Sequence, residues 1–225
     1  MLVSNWMSKD VITVDVDDPM YNAVKLMKKN AIRMLPVLKK GKLVGIITDR
    51  DLKRSAASDA TMLDVHELLY LVSKIKVRDI MTKEPITVPQ NYTVEETAEV
   101  LLKNKISGVP VVDQNGDVVG MITQTDLFLV LISLTGVGTF GIQFAFQLED
   151  RPGSIKEVAD VIRKFGGRMV SILSSYEEVP EGYRKVYIRM RSIERPNLQK
   201  LREELSRTAA LIYMVDHREN LREIY

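Results

Sequence analysis

The sequence predicts a mixed α/β (α+β) chain: a duplicated strand–helix–hairpin unit followed by a separate βαββαβ unit. Three observations predict it. Identical residues recur at a nearly constant spacing through the first 133 residues. Each recurrence carries the same succession of strand-like and helix-like periodicities. After Gly136 and Gly138 the recurrence stops and a new alternation begins.

Met7 matches Met81, Thr13 matches Thr87 and Pro36 matches Pro110, each pair 74 residues apart. Thr48 matches Thr123 and Asp51 matches Asp126 at 75. The extra residue falls in a turn, where Lys40-Gly41-Lys42 becomes Gln114-Asn115-Gly116-Asp117. Turns are where structural repeats tolerate insertions.

Each copy opens on a short strand, residues 11–14 and 86–88. A helix follows. In the first copy Asp18 is placed to cap it and Pro19 suits its first turn. Met20, Ala23, Val24 and Met27 then fall on one helical face. In the second copy Thr93 and Glu96 have the spacing of a capping box, and Val94, Thr97, Ala98 and Leu101 form the matching stripe. Two apolar strands around a polar turn come next, residues 35–38 with 43–47 and 109–112 with 118–122, which is a hairpin signal. A second helix begins near Asp51 and near Asp126. Between the copies, Leu63, Val65, Leu68, Leu69, Leu71 and Val72 predict a helical connector over residues 57–76.

Two fragments carry a resemblance: Gly45-Ile46-Ile47-Thr48-Asp49-Arg50-Asp51 and Gly120-Met121-Ile122-Thr123-Gln124-Thr125-Asp126. Each follows an apolar-Pro-Val strand, Leu35-Pro36-Val37 and Val109-Pro110-Val111. With these, residues 1–133 resemble a pair of CBS domains, repeat one at 1–56 and repeat two at 77–133. The resemblance implies that the copies pack through their sheets, with clefts that bind AMP, ADP, ATP or S-adenosylmethionine. It also implies that each cleft mixes the carboxylate of one copy with the strand and backbone of the other. One cleft would use Thr123 and Asp126 with Thr13, Arg33 and Met34. The other would use Thr48 and Asp51 with Thr87, Ser107, Gly108 and Val109. Arg33 and Arg50 are the phosphate candidates of the first copy. Ser107 and Thr125 stand at those positions in the second, so the clefts are not equivalent.

The chemistry agrees with that assignment. A ribose cis-diol presents two donors, and a carboxylate has lone pairs for both. Bonds to an ionised acceptor are stronger than neutral ones. Asp51 and Asp126 also stand where a strand gives way to a helix, near N–H groups that favour anions. Simple helix capping by Thr48, Asp51, Thr123 and Asp126 is the competing reading. Solvated surface is the competing reading for the two arginines.

The last third reads differently. A strand over residues 141–148 leads into Asp150-Arg151-Pro152-Gly153. Ser154 and Glu157 have capping-box spacing. Ile155, Val158, Ala159, Ile162 and Phe165 stripe one helical face, and Gly166-Gly167 ends it. Strands at 168–176 and 183–193, a helix at 197–207 and a strand at 210–216 complete a βαββαβ order, the ferredoxin-like arrangement. That order and the Asp-Arg-Pro-Gly turn resemble the ACT domain over residues 139–217, leaving 218–225 as a tail. The resemblance makes Asp150, Gly153 and Ser154 the candidates for an amino-acid ligand, and it implies edge-to-edge pairing of chains. An unpaired sheet edge favours the same outcome. The order CBS, CBS, ACT is similar to the acetoin-utilisation type of CBS–ACT protein.

Composition removes several classes. Cysteine is absent and histidine occurs twice, as His66 and His217, which argues against a zinc or His-based catalytic site. No Ser-His-Asp, Cys-His, P-loop or metal motif appears, so the chain is not expected to be an enzyme or to require a cofactor. A net charge of +2 is too balanced to argue for direct nucleic-acid binding. No apolar run approaches the ~18 residues of a membrane span, and no signal peptide is read at the N-terminus, so a cytoplasmic location is expected. The expectation is a regulatory protein with an adenosine ligand, a homodimer that an unidentified protein partner could read. The alternative is an amino-acid sensor working through the ACT domain, with the CBS pair as scaffold.

Overall fold

The computed structural model describes residues 1–58, 74–139 and 141–225. The helix expected from Leu63 to Val72 lies outside the described residues. By contact the chain divides into two units, residues 1–127 and 128–225.

In the first unit, repeat one runs β1 (Val14–Asp15), α1 (Met20–Asn30), β2 (Met34–Lys39), β3 (Lys42–Thr48) and α2 (Asp49–Ser58). After α3 (Val77–Ile80) and β4 (Thr82–Lys83), repeat two runs β5 (Val88–Pro89), α4 (Val94–Asn104), β6 (Gly108–Val112), β7 (Val118–Thr123) and α5 (Gln124–Thr135). The sheets have strand order β1-β2-β3-β4 and β5-β6-β7. In each copy the first strand is parallel to the second, and the second and third form an antiparallel hairpin. The register shift also repeats, between Val37 and Leu38 and between Val111 and Val112.

The helical stripes are buried as their spacing requires. Met20, Ala23 and Met27 join Val14, Leu35, Val37 and Ile47 in one core, and Leu101 joins Val88, Val109, Val111 and Ile122 in another. Both helices end on a residue in the left-handed region, Ala31 and Lys105, each at φ 53°. Thr93 and Glu96 make the expected capping box, with the Thr93 amide donating to Glu96 at 2.7 Å and the Glu96 amide to Thr93 Oγ1 at 3.1 Å.

Some boundaries move. The opening strands begin at Val14 and Val88 rather than at 11 and 86, and the second helices begin at Asp49 and Gln124. Asp18 does not cap α1. Its carboxylate is taken by the Asp15 amide and the Asn22 side chain, and Pro19 occupies the cap position.

The leader of each repeat packs on the other repeat. The Val3 amide donates to Tyr92 O at 2.8 Å, Ser8 and Met121 exchange amide bonds at 2.9 Å, and Val3 is wholly buried in the second core. Conversely the Val77 amide donates to Asp18 O at 2.9 Å, β4 pairs with β3, and Val77 is buried in the first core. Two matched glycines permit the approach. A Cβ on Gly45 would lie 2.5 Å from Met81 Sδ, and one on Gly120 would collide with Met7.

In the second unit, β8 (Ile142–Glu149), α6 (Ser154–Lys164), β9 (Arg168–Ser175), β10 (Tyr183–Arg191), α7 (Arg195–Thr208) and β11 (Ala210–Asp216) keep the expected βαββαβ order. With a further strand β12 (Leu221–Ile224), the antiparallel sheet has order β12-β11-β8-β10-β9. Phe144, Phe146, Ile188 and Met190 from the sheet pack with Val158, Ile162, Leu201 and Leu205 from the helices. Residues 218–225 are not a loose tail: β12 (Leu221–Ile224) pairs with β11. Its alternation of Leu221, Arg222, Glu223 and Ile224 is too short and polar to read as a strand without the neighbour.

The boundary expected near residues 134–139 falls earlier, inside α5. Thr135 O accepts from Arg189 Nε at 2.7 Å and from Ser171 Oγ at 3.0 Å, which ties the last turn of α5 to the second unit. The Ser154–Glu157 box is also corrected. Gly153, at φ 91°, is the cap residue and Ser154 is the first helical residue. The buried Ser154 hydroxyl accepts from Arg184 at 3.2 Å, and Glu157 accepts from the two terminal guanidinium nitrogens of Arg151 at 2.8 Å. Among the described residues no helix is long and apolar enough to cross a membrane.

Candidate functional site

Each Thr-x-x-Asp straddles the junction of a hairpin strand and the helix after it. Asp51 Oδ2 accepts from the Thr48 amide at 2.9 Å and from the Thr48 hydroxyl at 2.6 Å. Asp126 Oδ2 accepts from the Thr123 amide and hydroxyl, both at 2.7 Å. The capping reading is thus realised twice. It uses one oxygen of each carboxylate and leaves Oδ1 outside the pairing.

Both aspartates line clefts of the first unit. The Asp126 cleft has a volume of about 580 Å³ and the Asp51 cleft about 370 Å³. Both lie within the roughly 300–1,000 Å³ of small-molecule sites. Each is built from both repeats. Thr123, Thr125 and Asp126 face residues 10–12 and 31–34 across the first. Thr48, Arg50 and Asp51 face residues 84–86 and 105–108 across the second. The crossed leaders explain the mixture, since residues 1–8 and 77–83 bind each repeat's hairpin to the start of the other.

The clefts are differently charged. Arg33 stands in the Asp126 cleft with Asp10. Arg50, Arg54 and Lys105 stand in the Asp51 cleft with Glu84. Among the described residues there is no group of three or more His, Asp or Glu that could hold a metal ion.

The duplicated region is similar to known proteins. The CBS-domain family model matches residues 3–58 and 77–133. The chain belongs to the CBS-domain family. A CBS domain-containing protein of Dictyostelium discoideum is 35% identical over 135 residues, covering 60% of this chain and 93% of its own length. Inosine-5'-monophosphate dehydrogenase of Korarchaeum cryptofilum is 38% identical over 120 residues, covering 53% of this chain but 22% of the enzyme. Among solved structures, the CBS domain pair of protein MJ0100 in complex with 5'-methylthioadenosine and S-adenosyl-L-methionine is 33% identical. It covers 58% of this chain and 99% of that one, with a TM-score of 0.50. A Vibrio cholerae chain named for acetoin utilization (AcuB) is 25% identical, covering 62% of this chain and 96% of that one, with a TM-score of 0.52.

Within the CBS pair, most of the expected residues converge. Arg33, Thr123, Thr125 and Asp126 line one cleft, Thr48, Arg50, Asp51 and Gly108 the other, and Met34 and Ser107 line both. Thr13, Thr87 and Val109 line neither. Thr13 and Thr87 lead straight into the buried Val14 and Val88, so the residues before them form the wall. Val109 alternates with Gly108 along β6 and faces the core, wholly buried. Sequence reasoning missed Asp10, Arg54 and Lys105. Arg54 follows Arg50 by one helical turn, and Lys105 occupies the left-handed residue that ends α4, so both positions could have been read from the helix boundaries.

The loop candidates of the second unit are internally engaged. Asp150 lies 3.5 Å from Arg184 Nε and accepts from the Tyr176 hydroxyl at 3.4 Å, while Ser154 accepts from Arg184. Only Gly153 leaves open space, with no atom within 4 Å of a built Cβ.

Proposed function

We propose that this CBS pair is a regulatory sensor that binds an adenosine-type ligand, AMP, ADP, ATP or S-adenosylmethionine, and that the chain is not itself an enzyme. One observation carries the proposal: two matched Thr-x-x-Asp pairs each line a cleft built from both repeats. The complex of the related MJ0100 pair with two adenosine compounds supports the ligand class. The ribose diol would donate to the carboxylates of Asp51 and Asp126, with Thr48 and Thr123 holding each carboxylate in place. The segments at 31–34 and 105–108 would meet the base.

Binding shifts the packing of the repeats by as much as the ligand prefers one arrangement over another. The βαββαβ unit, read as an ACT domain, would receive that shift and pair with a second chain, giving a cytoplasmic homodimer with an output to a protein partner. Acetoin metabolism is one setting for that output, in keeping with the Vibrio cholerae neighbour. The amino-acid-sensing alternative is disfavoured by the engagement of Asp150 and Ser154 with Arg184. Calorimetric titration of AMP, ATP and S-adenosylmethionine decides the matter. The native chain is expected to bind at least one of them, and an Asp51→Ala, Asp126→Ala variant to bind none. Equal binding by both proteins, or binding by neither, overturns the proposal.

A further inference from the structure

Taking the adenosine reading as its premise, we infer that the two clefts select ligands by the charge of the 5' substituent. The Asp51 cleft takes an adenosine carrying an anionic phosphate. The Asp126 cleft takes one whose 5' group is a neutral thioether or a cationic sulfonium.

The argument is one of charge. Arg50, Arg54 and Lys105 line the Asp51 cleft against the two acids Asp51 and Glu84. That is three cations against two anions. Arg33 alone lines the Asp126 cleft against Asp10 and Asp126, one cation against two anions. The framework is otherwise duplicated, since Asp10 matches Glu84 and Asp126 matches Asp51 in the repeat. The difference comes from substitutions at matched positions. Thr125 stands where Arg50 does, and Ala31 stands where Lys105 does.

None of the three cationic side chains of the Asp51 cleft enters an ion pair among the described residues, and all three are exposed. A phosphate would therefore not have to displace an internal carboxylate partner. Arg50 and Arg54 lie four apart on α2 and so share a helical face at its first turns, where unpaired amides add positive potential. Arg54, Arg50 and Lys105 approach from two repeats, so a bound phosphate would also bridge the copies. In the Asp126 cleft the same helix-end potential is opposed by a local excess of carboxylate, which penalises a phosphate and tolerates a sulfonium.

The test uses the full chain, with AMP and 5'-methylthioadenosine as probes in calorimetry at low and high salt. Asp51→Asn and Asp126→Asn variants assign each binding event to its cleft. AMP is expected to weaken by about tenfold or more with Asp51→Asn alone and 5'-methylthioadenosine by as much with Asp126→Asn alone. An Arg50→Gln, Arg54→Gln, Lys105→Gln variant is expected to weaken AMP by about tenfold and to leave 5'-methylthioadenosine within about twofold. Added salt should weaken AMP alone. Because these are exposed side chains, circular dichroism should show the variant folded. If both probes bind the native chain but each loses affinity equally in the two aspartate variants, or AMP is untouched by the triple variant, the charge selection is wrong and the adenosine reading stands. If neither probe nor any other adenosine compound binds, both fail.

Discussion

Thr48 presents its amide and its hydroxyl to one oxygen of Asp51, at 2.9 and 2.6 Å, so the residue proposed to hold a ribose is also a helix cap. The two roles separate by substitution. Asp51→Asn keeps an acceptor for the cap and removes the charge, whereas Asp51→Ala removes both. The alanine variant should lose about 1 kcal/mol of stability and the asparagine variant a fraction of that. Both should lose about tenfold or more in adenosine-ligand affinity, as expected for a charge-assisted bond. Urea denaturation and calorimetry on the same preparations read the two effects. An asparagine variant that binds as tightly as the native chain would show that the charge is not used.

Met81 Sδ occupies the space beside Gly45 that a side chain would need, and the Thr82 carbonyl oxygen lies 3.0 Å from the same point. A thioether can swing away, but a strand carbonyl cannot. Gly45→Ala should therefore cost about 1–3 kcal/mol by overpacking. Met81→Ala in the same chain should recover part of that loss, and a double-mutant cycle on denaturation midpoints measures the coupling. Additive effects would mean that the leader does not press on the hairpin as described.

The duplication made much of this legible. Once Thr48 and Thr123 are aligned, the strand, helix and hairpin order follows for both copies, because each element has its own period and its own stops. The crossing of the leaders was not legible. Met7 and Met81 read as matched residues, but nothing local says that each lies on the opposite hairpin. That depends on Gly45 and Gly120, whose missing side chains are visible only as contacts. The same crossing explains why residues 10–12 and 84–86 line the clefts in place of Thr13 and Thr87. At Ser154 a local pattern misled: the spacing to Glu157 fits a capping box, yet Arg184 and Arg151, both outside that pattern, take the two side chains.

Thr93 and Pro19 occupy the matched cap positions of α4 and α1; Thr93 accepts from a helix amide, whereas Asp18, just before Pro19, takes only the Asp15 amide and the Asn22 side chain. Thr93→Ala should cost about 0.5–2 kcal/mol. Asp18→Ala, which breaks an exposed bond to the Asp15 amide and a half-buried one to the Asn22 side chain but no helix amide, should stay within about 0.5 kcal/mol. Urea midpoints compare them directly, and equal losses would contradict the assigned caps.

His217 should give the second unit a pH-dependent stability near neutrality. Burial pushes its pKa below the ordinary 6.5, the positive charges of Arg189 and Arg222 push the same way, and Asp216 opposes them. Its Nε2 is buried without a hydrogen-bond partner. A folded pKa below the unfolded one means that the unfolded chain binds the proton first as pH falls. The stability associated with a neutral His217 is fully present above pH 6.5 and is lost as pH drops from there through the folded value. Asp216 acts in a lower window. Burial raises its pKa, but the Arg195 side chain and the Arg218 and Glu219 amides outweigh that and hold it below 3.8. His217→Gln should therefore flatten the stability profile between about pH 7.5 and about pH 5.5 and leave the steeper acid limb in place. Every other residue is the same in both proteins, so the difference between the two profiles isolates His217. Parallel profiles across that range would place the imidazole in water, against the burial found for it.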